Sequence, residues 1–190
     1  MTEIWLVRHG QTDWNVEGRY QGQVDIPLNE AGLQQAQELA KQLESVQFDA
    51  IFSSNLKRAS QTAGCVASLK NMDVQYDFRL REISQGTWEG MLFTDVVRYY
   101  EKEVEKRRTE PLTTRPPGGE TVVEVAKRAR DSVESIACRY PSGRILLVAH
   151  GVVISTLYCE ANQIPLSEVY WHIPEHTTPH IIQFSPANCP

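Results

Sequence analysis

The sequence predicts an α/β protein, a three-layer α/β/α sandwich around a mostly parallel central sheet. Three observations carry this. Residues 4–7 (Ile-Trp-Leu-Val) are a continuous apolar run, not an alternating one, as in a strand covered on both faces. Residues 145–148 (Ile-Leu-Leu-Val) do the same near the other end of the chain. Between them, short strand-like runs alternate with stretches whose apolar residues recur at the helical period, the pattern of βα units. The 190 residues suit one domain. Residues 86–119 read as a small helical and loop cap over a site at the sheet edge.

The elements follow in order. After the first strand, residues 10–27 form a long polar loop broken by Gly18, Gly22 and Pro27; loops of this length inside compact domains are usually functional. Asn29 is a good N-cap for a helix with Leu33, Ala36, Leu39, Ala40 and Leu43 on its core face. Residues 48–53 form a short strand. Ser54 or Asn55 then caps a helix over residues 56–69 that buries Ala59, Thr62, Ala63 and Val66. Residues 74–76 form a strand, and Gly86 and Gly90 bracket a turn. Residues 93–108 read as one helix with Val96, Val97, Tyr100 and Val104 as its stripe. Residues 109–119, rich in Pro, Gly and Thr, form a loop. Residues 120–140 give the clearest helical period, ended by Pro141-Ser-Gly. Residues 144–150 form the second core strand, and 152–160 a helix that starts at a His-Gly turn. Residues 170–173 and 180–184 are the last strands.

Composition excludes several classes. The net charge of −5 gives no general pull toward nucleic acid or an anionic membrane. No apolar run approaches the roughly 20 residues that span a bilayer, and the first residues do not read as a signal peptide. Cys65, Cys138, Cys159 and Cys189 show no CxxC spacing and are expected to be reduced packing residues in a cytoplasmic protein.

The chemistry concentrates at the two strand ends. Each core run ends in His-Gly, at His9-Gly10 and His150-Gly151. In open α/β sheets, ligands bind beyond the carboxyl ends of the strands. A buried apolar strand has no need of a terminal imidazole, and glycine after each one opens the backbone to a ligand. Arg8 precedes His9, and Arg58 lies in the first turn of a helix. Both offer the planar donor fork that fits phosphate. Asn15, Arg19 and Gln21 sit in the first loop and extend the cradle, though Arg19 fits solvent equally well. Trp14 and Trp88 serve packing or wall the pocket, and Glu89 braces its loop. Arg107 and Arg108 end a charged run beside the expected specificity region. His172, His176 and His180 are spaced by four, but Pro174 and Pro179 break any helix that would align them on a metal; they read as structural or edge residues.

These residues together resemble the histidine phosphatase superfamily, in its phosphoglycerate-mutase-like branch. The matching motifs are Leu6-Val7-Arg8-His9-Gly10-Gln11-Thr12 with Asn15, Gly22 through Leu28, and Phe52-Ser53-Ser54 to Arg58-Ala59. They continue through Glu82 to Gly90, Pro117-Gly118-Gly119-Glu120 and Val148-Ala149-His150-Gly151, in the family's order over nearly the whole chain. The resemblance implies a mechanism. His9 is the nucleophile, its other ring nitrogen held by an acceptor such as the Gly10 carbonyl, and a phosphohistidine forms. Arg8, Arg58 and His150 hold the phosphoryl oxygens, with His150 protonated beside the dianion. Asn15, Gln21 and Gly151 complete the phosphate site, and Glu82 is the general acid and base. Two arginines and an imidazolium supply the charge, so no metal and no cofactor is implied.

The partner is a small phosphorylated metabolite, with neither nucleic acid nor membrane; a homodimer is allowed but not required. Compact members of this kind resemble broad-specificity, α-ribazole or phosphoserine phosphatases. A phosphoglycerate mutase is the alternative, disfavoured because residues 91–118 are brief for a mutase insertion. A phospho-ligand binding module without turnover is the third reading.

Overall fold

The computed structural model describes residues 1–187 and Cys189. Five strands form one sheet: β1 (Thr2–Arg8), β2 (Ala50–Ser53), β3 (Val74–Tyr76), β4 (Arg144–Ala149) and β5 (Pro179–Phe184), in the spatial order β3-β2-β4-β1-β5. Every pairing is parallel except that of β5 with β1. The pairing that matters is β1 with β4. Ile4 lies opposite Ile145 and Arg8 opposite Ala149. His9 and His150 are each the next residue, so they leave the sheet side by side.

The alternation of side chains along these strands feeds two cores. Ile4, Leu6, Ile145 and Leu147 pack with Val125, Ala129, Val133 and Ile136 of α6 (Val122–Arg139) and Val153 and Leu157 of α7 (Gly151–Ala161). Val7, Ile51, Leu146 and Val148 pack with Leu39, Ala40 and Leu43, at and beyond the end of α2 (Glu30–Gln42), and with Ala59, Ala63 and Val66 of α3 (Lys57–Lys70). Both strand faces are covered, which explains the continuous apolar runs. A helix in each layer carries the cap expected of it. The Asn29 side chain accepts from Gly32 N at 2.9 Å, and Thr121 with Glu124 forms a reciprocal capping box on α6. None of the helices among the described residues is long and apolar enough to cross a membrane.

Several local expectations are corrected. The long first loop holds a short helix, α1 (Asp13–Glu17), capped by Thr12 and Asn15. Leu33 is 40% exposed rather than part of the core face. The helix α3 starts at Lys57 with no side-chain cap, because Ser54 is still tied to β4 through its N–H to Val148 O (3.0 Å). Asp25 from the first loop instead accepts from Lys57 N (2.6 Å). The single helix expected over residues 93–108 is two, α4 (Phe93–Tyr99) and α5 (Glu101–Thr109). The chain bends at Tyr100 (φ −130°, ψ 38°), whose ring lies 5.8 Å from that of Trp88. Residues 170–173 are not a strand but the end of a 3₁₀ helix, Leu166–His172. Its Val169 is fully buried with α7, and β5 already occupies the free edge of β1.

The cysteine expectation fails in part. Cys138 near the end of α6 and Cys189 form a disulfide with Cα atoms 5.4 Å apart, while Cys65 and Cys159 are free. Spacing alone does not reveal a pair 51 residues apart. The bond closes a long loop, so it should stabilise by about 2–4 kcal/mol. Cys189→Ser, or reduction of the wild type, should lower the melting temperature by roughly 5–15 °C in a thermal scan.

Candidate active site

His9 is held at every polar atom. Its backbone N–H donates to Ala149 O (3.0 Å), which extends the β1–β4 ladder by one residue. Its ring Nδ1 lies 2.7 Å from Gly10 O, and a carbonyl can only accept, so Nδ1 carries the proton. Arg58 Nε–H points at the other nitrogen, Nε2, at 3.3 Å, which requires a lone pair there. Both bonds select one tautomer, with Nε2 unprotonated and its lone pair accepting from Arg58. Gly10 is pinned in turn by its N–H to Thr62 Oγ1 (3.1 Å), and a Cβ on Gly10 would lie 2.5 Å from Gly32 O. No side chain fits at position 10.

The other candidates gather around this ring. Arg58 is fully buried, with NH1 on Val24 O and NH2 on Gly22 O, both at 2.8 Å. The first loop is thereby folded over it. Arg8 donates to Pro174 O (2.8 Å), and its Nε is buried without a partner. His150 lies 5.1 Å from His9 between ring centroids. It is fully buried, and neither of its ring nitrogens has a partner. Glu82 Oε1 accepts from Ile83 N (2.9 Å), and its Oε2 faces Val152 N in the first turn of α7 (3.4 Å). Gly151 packs closely under Ile173, where a Cβ would lie 3.1 Å from its Cγ2, while the distance to Glu82 Oε2, 3.6 Å, would be an ordinary contact.

A cavity of about 640 Å³ opens on this cluster. Arg8, His9, Asn15, Gln21, Arg58 and Glu82 line its polar end, while His150 sits against His9 outside the lining. Asn15 commits its Oδ1 to Thr12 (2.9 and 3.0 Å), whereas Gln21 Oε1 is buried and unpaired. Arg19 lines the cavity too, but is tied to Glu17 (2.5 Å) and Gly90 O (2.8 Å). Trp88, Phe93, Val104, Arg107 and Pro111 form another wall. Trp88 is fully buried, so it both packs and lines. Arg107 is fixed by Tyr170 Oη (2.8 Å) and Gln85 Oε1 (2.9 Å), over the rings of Trp88 and Tyr170. Arg108 is exposed beside Glu105.

Among the described residues, the buried side-chain polar atoms without a partner are Arg8 Nε, Gln21 Oε1, Trp88 Nε1 and both nitrogens of His150. All belong to this cavity or to the ring touching His9. An unsatisfied buried polar atom costs about 1–3 kcal/mol, so such a cluster marks a place built for a polar ligand. Among the lining side chains arginines outnumber carboxylates, a balance that suits an anion.

Sequence reasoning missed two contributors. His176 Nδ1 lies 2.6 Å from His9 O, with its ring 5.5 Å from the His9 ring. Arg128 on α6 donates to the carbonyls of Arg79, Arg81 and Glu82 and pairs with Glu120 at 2.9 Å, fixing the segment that carries Glu82. Neither has a local signal, because both act across more than forty residues of sequence. His172 and His180 instead flank the ring of Tyr158, at 5.9 and 5.8 Å. Among the described residues, no group of three His, Cys, Asp or Glu is placed to hold a metal.

The family model of the histidine phosphatase superfamily (branch 1) matches residues 4–189. The chain belongs to the histidine phosphatase superfamily. Among members of this superfamily, "Phosphoserine phosphatase 1" of Hydrogenobacter thermophilus is 36% identical over 171 residues, covering 90% of this chain and 81% of that protein. "Probable phosphoglycerate mutase GpmB" of Salmonella typhi is 36% identical over 159 residues, 83% of this chain and 73% of that one. The solved structure of Bacillus stearothermophilus YhfR superposes with a TM-score of 0.89 at 36% identity, covering 97% of this chain and 92% of its own.

In this histidine phosphatase both site imidazoles are pushed toward the neutral form. Burial is the main cause for His9 and for His150, and the charge of Arg58 adds to it; the Gly10 hydrogen bond opposes it at His9. Burial also lowers Arg58 to about 10. Protonation of His150 is therefore not the preference of the protein alone and needs a bound anion. With folded values below the usual 6.5, the unfolded chain takes up these protons first as the pH falls. The stability is complete above pH 6.5 and is lost as the pH drops toward the depressed values. Each histidine adds up to about 1.4 kcal/mol per pH unit in that window. Melting temperatures should fall from about pH 7 to 5, less steeply in His150→Asn, and phosphate should oppose the fall.

Proposed function

We propose that this chain is a phosphomonoesterase that hydrolyses a small phosphorylated metabolite through a phosphohistidine on His9. The observation that carries the proposal is the geometry around the His9 ring, with Nδ1–H donating to Gly10 O and an unprotonated Nε2 accepting from the Arg58 guanidinium. That nitrogen attacks phosphorus and the P–O bond to the alcohol breaks. Glu82 gives its proton to the leaving oxygen. In the second step Glu82 takes a proton from water, the oxygen attacks phosphorus, and the P–N bond breaks to free His9. Arg8, Arg58 and His150 balance the charge on the phosphoryl oxygens, where a preorganised cation is worth most. Asn15, Gln21 and Gly151 complete the cradle.

Residues 86–119 act as the cap of this single domain and supply one cavity wall. No cofactor or metal takes part, and neither nucleic acid nor membrane is a partner. Cytoplasmic residence completes the proposal; the Cys138–Cys189 bond pulls against that last part.

A phosphoglycerate mutase is the second reading, favoured by the name of the Salmonella typhi relative. The two differ in the acceptor of the second step, water or a sugar-acid hydroxyl. Purified enzyme is given a panel of phosphomonoesters, and 3-phosphoglycerate with a bisphosphorylated primer. Prompt release of inorganic phosphate supports the phosphatase. Positional isomerisation that depends on primer, with little phosphate released, overturns it.

A further inference from the structure

Beyond the residues assigned above, a short strap after the Leu166–His172 turn holds the end of β1. Pro174 O accepts from the Arg8 guanidinium (2.8 Å), and Thr177 N donates to Arg8 O (2.9 Å). Between them, His176 Nδ1 meets His9 O at 2.6 Å. A carbonyl has no proton to give, so the imidazole of His176 donates. The strap takes this shape at a cost. Thr177 sits at φ 53°, in the left-handed region that a β-branched residue rarely adopts. Backbone held in such a conformation is imposed by its surroundings and clusters at functional sites. Here it brings a third imidazole against the backbone of the proposed nucleophile.

We propose that His176 is a positioning residue for His9. His9 has two backbone anchors: its N–H on β4 and its carbonyl on the His176 ring. The first fixes the peptide on one side of its Cα. The second fixes the peptide that leads into Gly10, whose carbonyl in turn holds the His9 ring. The chain of contacts runs from the His176 ring to the His9–Gly10 peptide, then to the Gly10 carbonyl, then to His9 Nδ1. Removing the His176 donor leaves that peptide held on one side only, by Gly10 N–H on Thr62 Oγ1 (3.1 Å), and loosens the direction of the Nε2 lone pair. Phosphoryl binding is untouched, because the strap reaches Arg8 through backbone atoms and the Pro174 carbonyl, not through the His176 side chain. A small misalignment of an attacking atom is enough to cost about 10–100-fold in rate.

The inference rests on His9 being the nucleophile, so wild type and His9→Ala are assayed first on p-nitrophenyl phosphate. If wild type fails to hydrolyse it, the proposed function falls and not this inference alone. The test then compares His176→Phe, which keeps a ring but no donor, with His176→Asn, which keeps a short donor. His176→Phe should lose about 10–100-fold in kcat with KM within about twofold. Orthovanadate, which mimics the transition state by taking a bond from the nucleophile, should inhibit it correspondingly less well. Inorganic phosphate, which needs only the cradle, should inhibit it as it does wild type. His176→Asn should recover most of the rate. If His176→Phe does not fold, added imidazole should restore turnover to His176→Ala. The inference is overturned if His176→Phe keeps its kcat, if the donor in His176→Asn brings no recovery, if vanadate and phosphate inhibition weaken in parallel, or if imidazole gives His176→Ala nothing.

Discussion

His9→Ala should leave the chain folded and able to bind phosphate, but lower kcat for any phosphomonoester by at least about 10⁴-fold. The size follows from what is removed. Arg8 and Arg58 are placed by the Pro174, Val24 and Gly22 carbonyls, and only the Arg58 Nε contact with His9 Nε2 (3.3 Å) is lost with the ring. The anion site therefore survives while the bond-forming nitrogen is gone. Removing His9 also removes a buried imidazole whose neutral state burial already favours, so no charge is stranded. Phosphate should still protect the variant against thermal unfolding. Acid-stable or acid-labile label on the protein, chased after mixing with labelled substrate, should be absent. A variant with turnover near wild type would remove phosphohistidine chemistry from this protein.

Glu82→Gln should separate substrates by their leaving group. Glu82 lies at the first turn of α7, with Oε2 3.4 Å from Val152 N and Oε1 on its own next amide. An amide of the same shape keeps one acceptor oxygen but cannot deliver a proton. An alkoxide leaving group needs that proton in the transition state, so alkyl phosphates should slow by about 10²–10⁴-fold. p-Nitrophenolate leaves without help, and its release should slow by less than about tenfold. The ratio of the two rates is the readout. A uniform loss across both substrates would assign Glu82 to positioning only.

Much of this was legible before any fold was known. The continuous apolar runs identified β1 and β4 as central strands, because covering a strand on both faces removes the need for alternation. The His-Gly endings placed both imidazoles at the correct edge. The Gly10 carbonyl as partner of His9 followed from the need for a fixed tautomer, and the structure has that bond.

What escaped was non-local. The bend at Tyr100 answers to the Trp88 ring, not to any breaker in the helix itself. The missing cap on α3 reflects a strand that runs one residue longer to satisfy Val148. His176 looked like an edge residue because its partner is a backbone carbonyl 167 residues away, and backbone atoms leave no pattern in side chains. The disulfide was hidden by an argument from compartment, which describes averages rather than one pair of thiols.

The pairing of β1 with β4 joins residues 141 apart in sequence, and β4 lies between β1 and β2 in the sheet. During synthesis β1 cannot find this parallel neighbour until the chain has been made through β4, 141 residues further on. Until then the nascent β1 edge stands open, and His9 has no Ala149 carbonyl to anchor it. A chain that stops before β4 therefore lacks both His150 and the carbonyl that anchors His9.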